Sequence, residues 1–338
     1  MRVLVVKTSS MGDVIHTLPA LEDARKAIPK IQFDWVVEEA FAEIPAWHPA
    51  VARVIPIAVR RWRKSLFQAI TSYEWKEFRT QLARHHYDYI IDAQGLMKSA
   101  WITYCAKGPS YGLDRKSIRE PLAALFYQHR IHVPKEMHAV ERVRQLFATA
   151  LNYPLPQETG DYGIERSQFL VTQVRPKPYV VFLHGTTRHE KHWPENYWQA
   201  LAKEITTAGF EVLLPWGSAL ERERAERIAG NVKDVVVLPS LKLSALAGVI
   251  ANAHAVVAVD TGLGHLAAAL DVPSISLYGP TSPSLVGAYG KQQIHLSAKD
   301  YPVEGLEVAD PKIFTPLTPQ VVLENLQPML QAPASCTS

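Results

Sequence analysis

The sequence is poor in cysteine, with only Cys105 and Cys336 in 338 residues. Because these two lie far apart, one of them in a polar tail, they form no disulfide framework and fit a reducing cytosol. Long apolar runs are missing too. No stretch reaches the roughly 20 residues of a membrane-spanning helix, and the apolar run Val3–Val6 before Lys7 is too short for a signal peptide. We expect a cytosolic protein that can still sit on a membrane surface.

A strong charge of one sign is likewise absent. The formal net charge is +3, which implies no global field for attracting nucleic acid. Several catalytic motifs are also missing: the metal-chelating D-x-D, the Walker A sequence and H-E-x-x-H. The segment 108–112 matches G-x-S-x-G, but an esterase elbow needs a strand there, and Lys107 and Pro109 argue against one. We interpret this match as a coincidence.

What the sequence does contain is a βα pattern repeated in two series. Apolar runs predict the strands, and the segments between them predict helices, so each series indicates a mostly parallel sheet covered by helices. The predicted strands are 3–6, 31–37, 51–57 and 87–92 in the first series, and 179–183, 211–214, 235–238, 255–259 and 274–277 in the second.

These series predict an α/β fold class with two Rossmann-like domains that face one another. The segment 152–163 breaks every period and is the candidate linker. The first domain then covers residues 1–163 and the second covers 164–310. Residues 311–338 form a helix and a tail, and we expect that this helix can pack back on the first domain.

One turn of the second series is suited to hold an anion. Its fourth strand runs directly into Asp260-Thr261-Gly262, and an Ala/Leu-rich helix follows. The first amides of that helix point outward at the positive end of the helix dipole, where phosphate binds. The turn also matches G-x-G-x-x-A, but the acid that a dinucleotide site needs about 20 residues later is missing. His265 faces the same turn, where it can contact the ligand or can be a helix-capping or core histidine.

The loop after strand 179–183 is a second candidate phosphate site. It carries Thr186, Thr187 and Lys191, whose hydroxyl and ammonium groups suit phosphate contacts. Three histidines in the same loop suggest zinc, but no carboxylate or thiolate is in register and the adjacent lysine would repel the metal. The alternative for Lys191 is a solvated surface lysine.

Two acids stand in loops that follow strands. Glu221 can accept hydrogen bonds from both hydroxyls of a ribose, or it can be a helix-start acid favoured by the dipole. Asp13 lies after the first strand, beside Ser9, Ser10 and Gly12. As a helix-start carboxylate it is an N-cap, and as a functional group it is a general base that faces the second domain.

The strongest cationic group surrounds Trp62. As a solvated charge run it needs no further explanation, whereas arginine forks with an interleaved tryptophan suit the phosphates and carboxylates of a bulky acidic substrate. Nucleic acid would require a broader basic face. The cations of this group are Arg60, Arg61, Arg63 and Lys64, with Arg115, Lys116 and Arg119 further along the chain.

Seven blocks of the sequence resemble lipopolysaccharide heptosyltransferases of the GT-B architecture, and among them the heptosyltransferase I group. The resemblance covers essentially residues 1–300, and the first block is the most specific. Gly185 and Gly264 depart from the familiar motifs, which have alanine and serine there, but both changes are small. The blocks are Lys7-Thr-Ser-Ser-Met-Gly-Asp13, Arg60-Arg-Trp-Arg-Lys64, Asp92-Ala-Gln-Gly-Leu96, His184-Gly-Thr-Thr-Arg188, Lys191-His-Trp-Pro194, Leu214-Pro-Trp-Gly217 and Asp260-Thr-Gly-Leu-Gly-His265.

The resemblance implies transfer of L-glycero-D-manno-heptose from ADP-heptose to the first Kdo of Kdo2-lipid A, with inversion and with neither metal nor cofactor. Asp13 matches the catalytic base, and Lys191 meets the leaving charge. The donor-binding residues implied are Thr186, Thr187, Lys191, Glu221, Leu241, Asp260, Thr261, Gly262 and His265. The acceptor-binding residues implied are Ser9, Ser10, Gly12, Arg60, Arg61, Arg63, Lys64 and Arg119.

The same cations can meet anionic headgroups, so we expect peripheral attachment to the cytoplasmic leaflet of the inner membrane and no nucleic-acid partner. Two other functions are kept open, because a fold does not determine function. One is a sugar-nucleotide epimerase or hydrolase of the same fold, which needs no acceptor. The other is a non-catalytic module that binds adenine nucleotides or a membrane surface.

Overall fold

The computed structural model describes residues 1–62, 73–169 and 175–332. The chain forms two compact units, Met1–Ile164 and Glu165–Ser338. The division between them lies at the end of the segment in which proline and glycine break the βα pattern.

The first unit is built on a parallel sheet whose described strands have the order β3-β2-β1-β4-β5-β6. The central strand pairs on both sides, with Val6 opposite Val36 on one neighbour and opposite Asp92 on the other. A strand paired in this way is covered by helices on both faces, which explains its uninterrupted apolar run. The strands are β1 Arg2–Val6, β2 Gln32–Glu38, β3 Val51–Ile57, β4 Tyr89–Asp92, β5 Ser110–Leu113 and β6 His129–Ile131.

The second unit repeats this arrangement, with the described strands in the order β12-β11-β10-β7-β8-β9, again parallel. The first strand of the unit and its fourth strand are neighbours at the centre. Its strands are β7 Tyr179–Leu183, β8 Glu211–Leu214, β9 Val235–Val237, β10 Ala255–Val259, β11 Ser274–Tyr278 and β12 Gln293–Ser297.

Helices cover the two sheets. Those of the first unit are α1 Met11–Ile15, α2 Leu18–Ala27, α3 Glu43–Ala46, α4 Val59–Trp62, α5 Tyr73–Leu82, α6 Met97–Cys105 and α7 Ala139–Leu151. Those of the second are α8 Glu195–Thr207, α9 Ala219–Ala229, α10 Leu243–Ala251, α11 Gly262–Ala269, α12 Pro283–Val286 and α13 Pro319–Gln331. None of the helices in the described ranges is long and apolar enough to cross a bilayer.

The C-terminal helix α13 belongs to the second unit, where its main described contacts are with α8 and with β11. That it also packs back on the first domain stays a prediction. Val322 and Leu326 are fully buried in the core of the second unit, and Trp193 donates a hydrogen bond to the carbonyl of Leu317, just before the helix. Apolar burial therefore holds this helix on the second unit.

The strand order determines where a ligand can bind in each unit. In both sheets the chain starts at the centre, builds outward in one direction, then returns to the centre and builds in the other. The loops that follow the first and fourth strands therefore diverge and leave a crevice at the carboxyl ends of those strands. In the first unit these are the loops after β1 and β4, and in the second unit they are the loops after β7 and β10.

Candidate functional site

The loop after β1 is fixed by a single amide side chain from the loop after β4. The Gln94 side-chain oxygen accepts hydrogen bonds from the backbone amides of Thr8 at 2.9 Å and Ser9 at 3.1 Å. Its side-chain nitrogen donates to the Ser9 carbonyl at 2.6 Å. The two loops at the crevice of the first unit are thus held as one piece, and Ser9, Ser10 and Gly12 lie in the piece so formed.

Asp13 stands at the start of α1, where Ser10 is the N-cap and Asp13 is the third helical residue of a capping box. It lies in the first turn of α1, where its Oδ2 accepts hydrogen bonds from the backbone amide and the hydroxyl of Ser10, both at 2.8 Å. Its Oδ1 lies 3.7 Å from the Lys7 ammonium, and the side chain is 47% exposed. One oxygen therefore caps the helix, while the exposed carboxylate is held in a defined orientation next to a cation.

Lys7 and Asp92 help to hold the two loops around Asp13. The sequence analysis assigned neither of them to the site. Buried Lys7 donates to the Ala93 carbonyl at 3.0 Å. The Asp92 carboxylate accepts hydrogen bonds from the amides of Gln94 and Gly95 and from the hydroxyl of Tyr127. Complete burial raises the pKa of Asp92, although these hydrogen bonds favour the ionised form. The hydrogen bonds of Asp92 hold the turn in which Gln94 lies.

The predicted cationic group is only partly described by the structure. Arg63, Lys64 and the side chain of Arg60 lie outside the described residues. The Arg61 guanidinium forms ion pairs with Glu39 at 3.2 Å and Glu74 at 2.9 Å, and these hydrogen bonds raise its pKa. In this structure Arg61 is therefore paired with carboxylates of its own chain, which an acidic ligand would have to displace.

Trp62 and Arg119 differ in their surroundings. Trp62 packs edge-on against Trp75 and Phe78 and donates to Glu74 at 3.1 Å, so it belongs to the packing of α4 on α5. Arg119 is exposed, and it directly follows the buried Ile118, whose side chain lies close to Gly95. The structure thus brings Arg119 near the loop after β4.

In the second unit, an ion pair joins the loops after β7 and β10. The Lys191 ammonium lies 2.5 Å from Oδ2 of Asp260, with the two side chains only 18% and 11% exposed. The Thr186 hydroxyl donates to the Asp260 carbonyl at 3.2 Å. Thr186 and Lys191, from the loop after β7, therefore meet Asp260, which is distant in sequence, at the crevice of this unit.

The helix after β10 begins as the sequence predicted. Thr261 is the N-cap of α11, and Gly262 is its first residue. The first amides of a helix have no partner within the helix, and the dipole makes this end favourable for an anion. His265 lies in the first turn of α11 and is buried. Thr187 is exposed in the loop after β7.

Glu221 lies on α9 beside the loop after β7. Its Oε2 accepts a hydrogen bond from the Gly217 amide at 2.7 Å. A Cβ on Gly185 would come within 2.9 Å of its Oε1, so the absence of a side chain at Gly185 leaves room for this carboxylate. Leu241 is half-buried in the turn between β9 and α10, and β9 lies two strands from β7 in the sheet order.

His184, directly after β7, is a buried neutral histidine. Burial, followed by the charge of Arg224, lowers its pKa to about 4. Within the described ranges, no group of three histidine, cysteine or acidic side chains could hold a metal ion.

The family model for glycosyltransferase family 9, the heptosyltransferases, matches residues 75–311. This chain is a member of that family. It is 57% identical over 352 aligned residues to lipopolysaccharide heptosyltransferase 1 of Pseudomonas aeruginosa, with 98% of this chain and 99% of that protein covered. The heptosyltransferase family assignment confirms that the chain is a glycosyltransferase.

Solved structures agree with this assignment. The structure of E. coli heptosyltransferase WaaC with ADP has a TM-score of 0.89 and 50% identity, covering 97% of this chain and 100% of that one. The structure of the same E. coli protein with ADP-2-deoxy-2-fluoro heptose has a TM-score of 0.86 and 50% identity, covering 97% and 99%. The α/β fold with two Rossmann-like units, predicted for this heptosyltransferase from sequence, is confirmed.

Proposed function

We propose that the protein transfers L-glycero-D-manno-heptose from ADP-heptose to the first Kdo of Kdo2-lipid A, in the synthesis of the lipopolysaccharide inner core. The proposal draws on the similarity to heptosyltransferase 1 and on the E. coli structures that contain ADP and an ADP-heptose analogue. The observation that carries it is the exposed Asp13 carboxylate, oriented by Ser10 and Lys7 at the crevice of the first unit.

The donor binds at the crevice of the second unit. The Lys191 ammonium and the Thr187 hydroxyl meet the diphosphate, together with the amides of Thr261 and Gly262 at the start of α11. Glu221 accepts hydrogen bonds from the ribose hydroxyls. Asp260, which orients Lys191 in the structure, and His265 lie against the heptose and the phosphates, and Leu241 completes the donor site.

The reaction is a single displacement with inversion. The Asp13 carboxylate takes the proton from the Kdo hydroxyl as that oxygen forms its bond to the anomeric carbon of the heptose. The bond from this carbon to the phosphate oxygen breaks at the same time, and ADP leaves with the electron pair. Because the transition state places new negative charge on the diphosphate, Lys191 and the helix amides stabilise it more than they stabilise the bound donor.

The acceptor binds at the first unit. Ser9, Ser10 and Gly12 lie beside the base, and Arg119 adds a cation for the acidic acceptor. Arg60, Arg61, Arg63 and Lys64 complete its binding surface and contact anionic headgroups, which holds the enzyme at the cytoplasmic face of the inner membrane.

Incubation of the protein with ADP-heptose and Kdo2-lipid A, with and without a chelator, tests this function. We expect a heptosylated acceptor with an inverted anomeric centre, formed at equal rates in both conditions. Loss of transfer with the chelator would disprove metal independence. Release of ADP at full rate without acceptor would instead support the sugar-nucleotide hydrolase or epimerase.

A further inference from the structure

Helix α6 presents its large apolar side chains to solvent. Trp101 is 50% exposed and Tyr104 is 65% exposed, and Met97 lies on the same stripe at helical spacing. The opposite side, which packs on the unit, carries the buried residues Ala100 and Ile102. A helix that only covered a sheet would have the reverse pattern, with polar residues outside.

The neighbouring turn 121–126 has the same pattern, with large apolar side chains outside and small ones inside. Leu122 and Leu125 are more than half exposed, whereas Ala123 and Ala124 between them are fully buried. Tyr104 packs edge-on against Phe126 with ring centroids 6.0 Å apart, so the turn and α6 form one surface. We call this surface the aromatic face, defined as Met97, Trp101, Tyr104, Leu122 and Leu125.

The segment that carries the aromatic face is rich in positive charge, with Lys98 on α6 itself and Arg130 donating from its Nε to the carbonyl of Ala124 at 2.8 Å. Between residues 95 and 130 the sequence has six lysines and arginines and two acids, so the segment carries four more cations than acids. Both acids are engaged: Asp114 pairs with His132 at 3.0 Å, and Glu120 accepts a hydrogen bond from the Met97 amide at 2.6 Å. An apolar aromatic surface with basic flanks matches the interface between acyl chains and anionic headgroups.

The aromatic face is continuous with the loop that carries Asp13. Lys98, on the same helix, donates to the Ser9 hydroxyl at 3.2 Å, and α6 begins three residues after Gln94. A membrane seated on this face therefore lies next to the crevice of the first unit.

We propose that the aromatic face docks on an anionic phospholipid bilayer and thereby anchors the enzyme. A second copy of the chain fits less well. Five exposed side chains are far fewer than the roughly 20 residues a side of a stable protein interface, and two basic flanks would repel each other. The further role of this docking, to keep the crevice at the lipid surface where the acceptor lies, rests on the proposed function.

Vesicle flotation of the full chain without acceptor tests the docking. The vesicles contain phosphatidylethanolamine and phosphatidylglycerol, with phosphatidylcholine vesicles as the uncharged comparison. The test variant is Trp101→Ser with Leu122→Ser. The control is Val303→Ser with Val308→Ser, since these two valines of the second unit are also more than half exposed. Thermal unfolding establishes that both variants fold.

We expect the parent and the control to float with the anionic vesicles, and the test variant to bind at least about tenfold more weakly, because it loses two apolar side chains from the interface. Equal flotation of the test variant and the parent would overturn the proposal, as would a parent that does not float. The proposal would also be overturned if gel filtration showed that the parent is a dimer and the test variant a monomer, while both floated equally.

A second measurement separates this proposal from the proposed function. The test variant is assayed with Kdo2-lipid A in vesicles and with a deacylated, water-soluble acceptor. We expect loss of transfer to the first and normal transfer to the second. If the parent transferred heptose to neither acceptor, the proposed function would fail while the flotation result still decided the docking.

Discussion

Lys191 and Asp260, 69 residues apart in the chain, form a 2.5 Å ion pair that joins the two loops at the crevice of the second unit. Both side chains are mostly buried, so the pair is screened less than a surface pair. Asp260 therefore holds the Lys191 ammonium at the crevice where we propose that the diphosphate binds.

Lys191→Ala should lower kcat/KM for ADP-heptose by about a hundredfold to a thousandfold, because it removes a cation that stabilises the leaving diphosphate. Steady-state kinetics measures this loss. The matched control is Lys177→Ala, which breaks another lysine–aspartate pair of the same unit, with Asp234 at 2.9 Å. Equal activity of the two variants would assign Lys191 to the solvated surface lysines.

Asp13→Asn should lower kcat by about a hundredfold to ten-thousandfold, because the amide cannot take the proton of the acceptor hydroxyl. Binding of ADP-heptose, measured by calorimetry, should be nearly unchanged. Asp161→Asn is the control, since Asp161 is an exposed acid of the same unit that pairs with Lys26. Full turnover by the Asp13 variant would leave the carboxylate with its capping role alone.

Gln94→Leu should lower kcat by about tenfold to a hundredfold, because the loop that carries Ser9 loses four hydrogen bonds and the base shifts with it. Kinetics and thermal unfolding together test this. Gln128→Leu provides the comparison, since Gln128 accepts one hydrogen bond from the Ser110 amide at the outer part of the sheet. A similar kcat for both variants would show that Gln94 does not position the loop for catalysis.

Glu221→Ala should raise the KM for ADP-heptose by about tenfold with little effect on kcat, because a charged acceptor of ribose hydrogen bonds is lost. The control Glu226→Ala removes a carboxylate from the same helix, paired with Arg222, and should leave the KM unchanged. If Glu221 only favours the helix start, its replacement would lower the unfolding temperature and leave the KM unaltered.

His184 should make the protein less stable as the pH falls from about 6.5 to about 4. Burial lowers its folded-state pKa to about 4 from the ordinary 6.5, so between these values the unfolded chain binds a proton that the folded chain does not. The loss attributable to this residue is about 3 kcal/mol.

Chemical denaturation of the parent and of His184→Asn across this pH range gives the free energy of unfolding at each pH. The loss due to His184 is the difference between the pH dependences of the two proteins. Burial also lowers the pKa of His192 and His295, so the variant keeps part of the dependence. Identical slopes would contradict the assignment to His184.

The sequence predicted the central strands well because burial on both faces gives them long apolar runs. The bounds of β7 and β10, the two central strands of the second sheet, agree with the prediction to the residue. Three strands were missed: β5 Ser110–Leu113, β6 His129–Ile131 and β12 Gln293–Ser297. The last two lie at the edge of a sheet, where polar side chains are tolerated and the apolar pattern is weak.

In the candidate site, too, local features could be predicted from the sequence and contacts between distant residues could not. The helix starts at Asp260–Gly262 and beside Asp13 are local patterns, and the sequence predicted both of them. The bonds from Gln94 to Ser9 and from Lys191 to Asp260 each span more than 60 residues, so only the sheet order brings them together. Asp92-Ala93-Gln94-Gly95 after a strand was the available signal for Gln94.

If the outward aromatic side chains of α6 hold the enzyme at a bilayer, its rate depends on the surface concentration of the acceptor and not on its bulk concentration. A protein held at a bilayer by this face meets its lipid-borne acceptor in two dimensions. Its rate would then follow the number of acceptor molecules per unit of membrane area, and added inert phospholipid would slow it by surface dilution even at a constant amount of acceptor. The donor, which arrives from the aqueous phase, would follow ordinary bulk saturation.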